Sequence, residues 1–105
     1  MKQYDIVIVN LNPTKGSEIK KIRPCVIISP NDINKSLETL IVSPITSKRR
    51  KYPTRINFKL KGKKNPIAID QIRTIDESRV VKKVGRLRKK TIKKVKRVLK
   101  KTFVD

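Results

Sequence analysis

Short β-branched runs closed by turn residues constrain the fold of this chain more than any other sequence feature. Ile6–Val9, Pro24–Ile28 and Thr39–Ser43 are brief apolar stretches, each closed by Asn or Pro. Runs of this length between turn signals predict short buried strands. Arg55–Leu60 alternates polar and apolar residues, which predicts a strand with one wet face.

The middle of the chain continues in the same manner. Ile67–Ile69, Gln71–Ile75 and Val80–Leu87 predict further extended segments, and Asp76–Arg79 predicts one helical turn with Asp76 as its cap. Asn10–Ile22, which contains Pro and Gly among charged residues, predicts a loop.

The periodicity changes near the end of the chain. Apolar residues there recur at spacings of three and four: Ile92, Val95, Leu99 and Phe103. This spacing predicts an amphipathic helix over about residues 89–103. Its first residues are cations without a Ser, Thr, Asp or Asn cap, so the helix must be held by packing. We therefore expect a single domain over 1–105, mostly β, that is a small β-barrel-like domain with a packed C-terminal helix.

Positive charge is concentrated in the second half of the chain. The sequence has 29 Lys and Arg against 8 Asp and Glu, a net charge of +21. Residues 48–64 and 82–101 contain no acid at all. A polyanion is the natural partner, and nucleic acid is the commonest one. The alternative is a solvated face that only keeps the protein in solution.

Several classes of function are excluded by composition. The chain has no His and one Cys, which excludes His general-base catalysis, Cys-based metal clusters and an internal disulfide. We expect neither a metal nor a cofactor. No apolar run reaches the length of a membrane span, and the N-terminal residues do not form the apolar segment of a secretory signal. The expected location is the cytoplasm, without membrane association.

Two segments contain residues that could bind a phosphate. Gly16 lies in the polar loop before Arg23, and Arg23 directly precedes a predicted buried strand. Glycine allows a ligand to approach the backbone closely, and the planar fork of an arginine suits a phosphate. Thr46 and Ser47 follow the third predicted strand, where two hydroxyls can donate to an anion. The plainer alternatives are a surface turn, a salt-bridging arginine and hydroxyls that cap a turn.

Three other positions have more ordinary interpretations. Gln71 and Arg73 follow a predicted strand and could contact a base or a phosphate, although a structural hydrogen bond would also account for the amide. Cys25 lies in an apolar run with no His to activate it, so we expect a buried structural thiol.

Six segments, taken together and in order, resemble the MazF/PemK/Kid toxins of bacterial toxin–antitoxin modules over about residues 3–104. They are Asp5–Val9, Asn12–Glu18, Arg23–Pro24, Val42–Ser47, Asp70–Asp76 and Val84–Leu87. The resemblance implies an SH3-like barrel with a C-terminal helix, usually in a homodimer. It also implies metal-independent, sequence-specific cleavage of single-stranded RNA, and an acidic antitoxin whose tail blocks the RNA groove.

The same resemblance assigns roles to individual residues. The catalytic Arg of the family corresponds to Arg23 and its catalytic Thr to Thr46. Glu18, beside Ser17, corresponds to an acid in the loop of some members, and Gln71 matches a position near the RNA groove. Two departures stand out: Tyr4 replaces the family's common Gly before the first strand, and the tail helix is rich in Lys rather than in acids.

This chemistry agrees with the composition, because RNA carries its own nucleophile. The 2′-hydroxyl attacks the phosphodiester, and an enzyme without His or metal needs only to align it and neutralise the transition-state charge. Arg23 would supply that charge and Thr46 would hydrogen-bond a phosphate oxygen. The expected products are a 2′,3′-cyclic phosphate and a 5′-hydroxyl.

Two other classes of function stay open at this point. One is a non-catalytic SH3-like module that binds nucleic acid, which the charge supports equally well. The other is a toxin of the same fold that poisons a protein such as gyrase. Neither requires an Arg23–Thr46 pair, so the placement of these two side chains distinguishes the alternatives.

Overall fold

The computed structural model describes residues 1–11, 22–48 and 51–105. These segments contain nine strands and two α-helices. The strands are β1 (Asp5–Asn10), β2 (Ile22–Ile27), β3 (Thr39–Pro44), β4 (Arg55–Ile56), β5 (Lys59–Leu60), β6 (Lys63–Lys64), β7 (Ile67–Ala68), β8 (Arg73–Asp76) and β9 (Val80–Arg86). The helices are α1 (Asn31–Ser36) and α2 (Lys89–Phe103), and two 3₁₀ turns span Ile69–Gln71 and Glu77–Arg79.

Five of the strands form one antiparallel sheet in the order β8-β3-β2-β1-β9. The pairs β4–β7 and β5–β6 form two further two-stranded sheets. The prediction of a mostly β fold with a terminal helix is therefore confirmed. The five-stranded sheet is open among the described residues, however, with β8 and β9 at its edges, so a closed barrel is not formed by these ladders.

Each face of the five-stranded sheet has its own apolar cluster, as strand alternation requires. Val95 of α2 packs in the first cluster with residues in β1, β2 and β7 or directly after β2, β3 and β7: Ile6, Val26, Ile67, Ile28, Ile45 and Ile69. The second cluster lies on the opposite face and contains Val7, Val9, Cys25, Ile27, Leu40, Val42 and Ile75. Cys25 is fully buried, which confirms the expected structural thiol.

Helix α1 and the break between β4 and β5 differ from the sequence predictions. The residues of α1 are polar apart from the exposed Ile33, so no apolar period marks the helix. It is fastened instead by the buried amide of Asn34, which donates to the Ser29 carbonyl oxygen at 2.9 Å. The single strand predicted over Arg55–Leu60 is two strands, because the chain changes partner from β7 to β6 between them.

The extended segments predicted over Ile67–Ile69 and Gln71–Ile75 are also partly wrong, because Ile69–Gln71 form a 3₁₀ turn. Asp70 in this turn accepts hydrogen bonds from Thr54 and Arg55. These long-range contacts have no counterpart in local periodicity.

The predicted helix ends are confirmed. Asp76 caps its 3₁₀ turn by accepting a hydrogen bond from the Ser78 N–H at 2.8 Å. α2 begins after Arg88, whose side chain makes no capping hydrogen bond, and no acid lies in the first turn. Cations at this end oppose the helix dipole, so the stability of α2 depends on its apolar stripe.

Tyr4 occupies a backbone conformation that favours glycine, with φ of 70°. Its N–H donates to the Ile27 carbonyl oxygen at 2.7 Å, and its own carbonyl accepts from the Leu87 N–H at 3.0 Å. The ring is buried in the first cluster. With Tyr4 in place of the family's common Gly, the backbone at this position is strained and the side chain is buried in the apolar cluster.

No helix among the described residues is long and apolar enough to cross a membrane.

Replacing Val95 with Ala should destabilise the fold, because Val95 is fully buried and anchors α2. The lost methyl groups and the resulting cavity correspond to about 1–3 kcal/mol. Urea unfolding monitored by circular dichroism measures this change. The neighbouring Lys96→Ala is the control: Lys96 is exposed, and its substitution should stay within about 0.5 kcal/mol. Equal losses for both variants would contradict the anchoring role.

Candidate functional site

The ladder between β2 and β3 brings the two predicted catalytic residues together. Cys25 pairs with Pro44 and Val26 with Ser43 in antiparallel register. The Ile45 N–H continues this ladder by donating to the Pro24 carbonyl oxygen at 2.9 Å. One further step in the same register places Arg23 opposite Thr46. Residues that face each other across an antiparallel pair project from the same side of the sheet.

Hydrogen bonds hold both the backbone and the side chain of Thr46. Its N–H donates to the Pro66 carbonyl oxygen at 3.0 Å, and its hydroxyl oxygen accepts from the Lys48 N–H at 3.1 Å. Although it lies just after the end of β3, the residue is only 4% exposed. The hydroxyl is thus fixed in position and shielded from bulk solvent.

Arg23 is partly buried, and its Nε is fully shielded from solvent. Among the described residues, this Nε has no hydrogen-bond partner and no carboxylate forms an ion pair with the guanidinium. Burial lowers the pKa of Arg23, although a guanidinium remains protonated at neutral pH. A buried cation without a partner is costly, which favours an anion as its ligand.

Arg73 approaches the same side of the sheet as Arg23. It begins β8 opposite Val42, whose side chain lies in the second cluster with Cys25. Burial raises the pKa of the Cys25 thiol to about 12, against the opposing charges of Arg23 and Arg73. Both guanidinium groups are thus close enough to the thiol to act on it electrostatically, and they concentrate positive charge at this end of the sheet.

The other predicted site residues have different positions. Ser47 is exposed directly after Thr46, and Gln71 is exposed at the end of the 3₁₀ turn that precedes Arg73. Gly16, Ser17 and Glu18 lie outside the described residues. The sheet thus brings Arg23 and Thr46 together, with Arg73 on the same side.

A groove of about 900 Å³ lies beside Thr46, since Pro66, which accepts the Thr46 N–H, is part of its wall. Four cations and two aromatic rings line it: Lys51, Arg55, Lys59, Lys64, Tyr52 and Phe58. Cations follow a nucleic-acid backbone, and aromatic rings accept stacked bases of any sequence. This combination is typical of surfaces that bind single strands.

Asp70 fixes the geometry of one wall of the groove. Its carboxylate accepts from Arg55 Nε at 2.8 Å and from Arg55 Nη2 at 3.1 Å, and it also accepts from the Thr54 hydroxyl at 2.8 Å. The Arg55 guanidinium lies 5.3 Å from the centre of the Tyr52 ring. The hydrogen bonds from Arg55 lower the pKa of Asp70. Carboxylate, guanidinium and ring thus form one rigid stack.

The groove was not predicted from the sequence, although a signal was present. Tyr52 and Phe58 are the two aromatic residues within the acid-free basic stretch 48–64. Aromatic residues placed between cations are characteristic of single-strand binding. The hydrogen bonds between Arg55 and Asp70 join residues 15 positions apart, so no local sequence pattern predicts them.

No group of three or more Cys, Asp or Glu residues within the described part of the chain is arranged to hold a metal ion.

Comparison with known proteins identifies the family. Residues 2–103 match the PemK-like, MazF-like toxins of type II toxin–antitoxin systems. The chain is also 37% identical to the endoribonuclease MazF of Staphylococcus saprophyticus over 102 residues, which cover 90% of this chain and 84% of that protein. The chain belongs to this family, as a MazF-like endoribonuclease toxin of a toxin–antitoxin module.

Solved structures share the fold at low sequence identity. A mycobacterial endoribonuclease in complex with its cognate antitoxin superposes with a TM-score of 0.81 at 18% identity, covering 96% of this chain and 92% of that one. MazF from Deinococcus radiodurans gives 0.80 at 22% identity, with 96% and 94% covered. A MazE–MazF complex from the same organism gives 0.80 at 18%, with 99% and 95% covered.

Replacing Asp70 with Asn should reduce both stability and its dependence on pH. Asp70 has a lowered pKa in the folded state, so its stabilisation is complete above the unfolded value of about 3.9 and is lost as the pH falls through the folded value. At pH 7 the variant should lose about 0.5–1 kcal/mol, the upper part of the range for an ion pair near the protein surface, because the contact with Arg55 has two hydrogen bonds.

Urea unfolding between pH 7 and pH 2 measures this effect. The wild type should lose more stability over this range than Asp70→Asn, because the Asn side chain does not titrate. Asp105→Asn removes an exposed carboxyl and serves as the control. An unchanged pH profile for Asp70→Asn would show that the contact with Arg55 does not stabilise the fold.

Proposed function

We propose that this toxin cleaves single-stranded RNA without a metal ion and at specific sequences. The proposal depends on the β2–β3 register, in which Cys25 pairs with Pro44 and the Ile45 N–H donates to the Pro24 carbonyl oxygen. The next position in this register aligns Arg23 with Thr46. It sets a shielded cation beside a fixed hydroxyl, which is the arrangement that a phosphodiester requires. A purely structural module or a toxin that acts on a protein has no need of this pair.

The chemistry follows from these two groups. The 2′-oxygen of the RNA forms a bond to phosphorus while the bond from phosphorus to the 5′-oxygen breaks. The attacking hydroxyl loses its proton and the departing oxygen gains one. Arg23 stabilises the negative charge that builds up on the phosphoryl oxygens, because its guanidinium is charged and already partly desolvated. Thr46 donates its hydroxyl hydrogen to one of those oxygens, and the products are a 2′,3′-cyclic phosphate and a 5′-hydroxyl.

RNA on either side of the cleaved bond would lie along the neighbouring surfaces. Arg73 and Ser47 contact phosphates close to the site, and Gln71 contacts a base edge. The groove beside Thr46 takes further nucleotides, whose bases stack on Tyr52 and Phe58. Gly16, Ser17 and Glu18 contribute the remaining contacts to the substrate.

Metal independence is supported by the side chains available. The chain has no His and one Cys, and that Cys is fully buried. Two of the described acids are engaged in ion pairs: Asp5 with Lys83 and Arg86, and Asp70 with Arg55. The 2′-hydroxyl makes a metal-bound water unnecessary, because the substrate itself supplies the nucleophile.

We also propose the assembly that the family resemblance implies. The chain is a single domain over 1–105, forms a homodimer and binds an acidic antitoxin across the RNA groove. The complexes of a mycobacterial endoribonuclease and of Deinococcus MazF with their antitoxins support this partner. The SH3-like barrel is supported by Ile45, which bridges to Ile67 and hydrogen-bonds to Pro24, so that it joins the β4–β7 pair to the five-stranded sheet.

Arg23→Ala and Thr46→Ala should each slow cleavage of single-stranded RNA at least about 100-fold, the scale for losing one preorganised transition-state contact. The measurement is single-turnover cleavage of a labelled transcript, with mapping of the product ends. Circular dichroism must show folded protein, because Thr46 is buried.

Two conservative variants serve as matched controls. Thr46→Ser keeps the hydroxyl and should retain most of the activity. Arg23→Lys keeps the charge but loses the planar fork, so it should recover only part of it. Near wild-type rates for both alanine variants would refute the assigned roles.

Cleavage should continue at an unchanged rate in excess EDTA, because no step requires a metal. The experiment compares initial rates with and without the chelator at constant ionic strength, since RNA binding depends strongly on salt. Complete loss of activity that added Mg²⁺ restores would overturn metal independence while leaving RNA as the substrate.

A further inference from the structure

The outer face of α2 is an uninterrupted array of cations. Every exposed residue of this helix from position 89 to position 101 is basic: Lys89, Lys90, Lys93, Lys94, Lys96, Arg97, Lys100 and Lys101. Like charges three and four residues apart destabilise a helix, and here no described acid forms an ion pair with any of them. The helix therefore carries an electrostatic cost, which a polyanion bound to this face would relieve.

One row of this face has a regular spacing. Lys89, Lys93, Arg97 and Lys101 are four residues apart, so they repeat every ~6 Å along about 18 Å of helix. Successive phosphates of a nucleic-acid strand have a similar separation. We call these four residues the α2 row.

The position of α2 connects this face to the proposed cleavage site. α2 packs against the 3₁₀ turn Ile69–Gln71, and the same turn packs against β3 and β4. β3 leads directly into Thr46, and β4 supplies Arg55 to the groove. α2 is therefore the helix that lies beside the turn containing Gln71.

Other partners fit this face less well. A basic amphipathic helix could lie on a membrane, but the apolar stripe of α2 is already used: Val95 is fully buried, and Ile92, Val98 and Leu99 pack on the first cluster. A bound peptide would need apolar anchor sites, and no exposed apolar side chain interrupts the face between residues 89 and 101. A phosphate backbone requires only the cations.

We propose that the α2 row is a second RNA-binding surface, which holds the phosphate backbone of nucleotides beyond those in the cleavage site. This proposal rests on the proposed function, because it extends the track of the same RNA. In this proposal α2 increases the affinity for RNA but does not determine which sequence is cleaved, since phosphate contacts position a strand without specifying its bases.

The test uses a quadruple variant in which Lys89, Lys93, Arg97 and Lys101 are changed to Gln. A matched control removes the same charge elsewhere, at exposed lysines that do not line the groove: Lys2, Lys35, Lys61 and Lys63. Binding of 2′-O-methyl RNA, which cannot be cleaved, is measured at several salt concentrations with strands of about 6 and about 24 nucleotides. The first length is near the lower end of common single-strand site sizes and the second is above them. Because this RNA reports binding alone, the result does not depend on whether the enzyme cleaves.

The α2 variant should bind the long strand more than tenfold more weakly. The slope of log affinity against log salt concentration should decrease in magnitude by about 2.8, at about 0.7 for each of four lost phosphate contacts. Its affinity for the short strand, and its cleavage site on natural RNA, should be unchanged. Its thermal midpoint should not fall, because the substitutions remove repulsion within the helix.

Three results would overturn the proposal. One is an equal loss of affinity in the matched control, which would indicate a general charge effect. Another is an unchanged affinity and salt slope with the long strand, which would indicate a solvated helix face. The third is a shifted cleavage site, which would place base recognition in α2.

Discussion

The hydrogen bond from the Ile45 N–H to the Pro24 carbonyl oxygen is the contact on which the proposed chemistry depends. It extends the β2–β3 ladder one pair beyond the strands themselves, and the next position then holds Arg23 and Thr46. Pro24 cannot donate a backbone hydrogen bond, but its carbonyl remains available to accept one. On the other side, Ile45 bridges to Ile67, so the same residue joins the main sheet to the wall of the groove.

The shortage of acids determines how the positive charge is distributed. With 8 acids for 29 cations, most Lys and Arg side chains must be left without an acidic partner. Two buried or half-buried acids instead organise cations where geometry matters. Burial would raise the pKa of Asp5, but the Lys2 N–H, Lys83 and Arg86 outweigh it and lower that pKa. Asp70 aligns Arg55 against Tyr52. The two acids thus stabilise the sheet edge and the groove.

Local sequence patterns predicted most of the strands, because the signal lies in residues close together. The run Ile6–Val9 lies within β1, and the spacing of Ile92, Val95 and Leu99 matched α2. The failures share one physical cause, which is a contact between residues far apart in the chain. The change of strand partner after Ile56 and the Asp70–Arg55 pair are both of this kind.

The candidate site could likewise be predicted only in part from local sequence. The residue types at positions 23 and 46 suggested catalysis only through the family resemblance, since an arginine and a threonine alone fit many surface turns. Their alignment across the ladder is a property of register, and register depends on the partner strand as well as on the local sequence. The burial of Thr46 was not predicted for the same reason, because its N–H donates to the carbonyl oxygen of Pro66, twenty residues further along the chain.

Cations in two different environments serve two different purposes in the proposed function: one stabilises the transition state and the others add affinity for RNA. Arg23 is shielded, and its pKa is lowered by burial, so an anion that replaces its lost hydration interacts with it strongly. The lysines of α2 are exposed, so salt screens them and each contributes little on its own. A shielded cation can distinguish the transition state from the bound substrate, because it responds to charge at one place. An exposed row binds both states equally, so it can raise affinity but cannot lower the barrier of the bound complex.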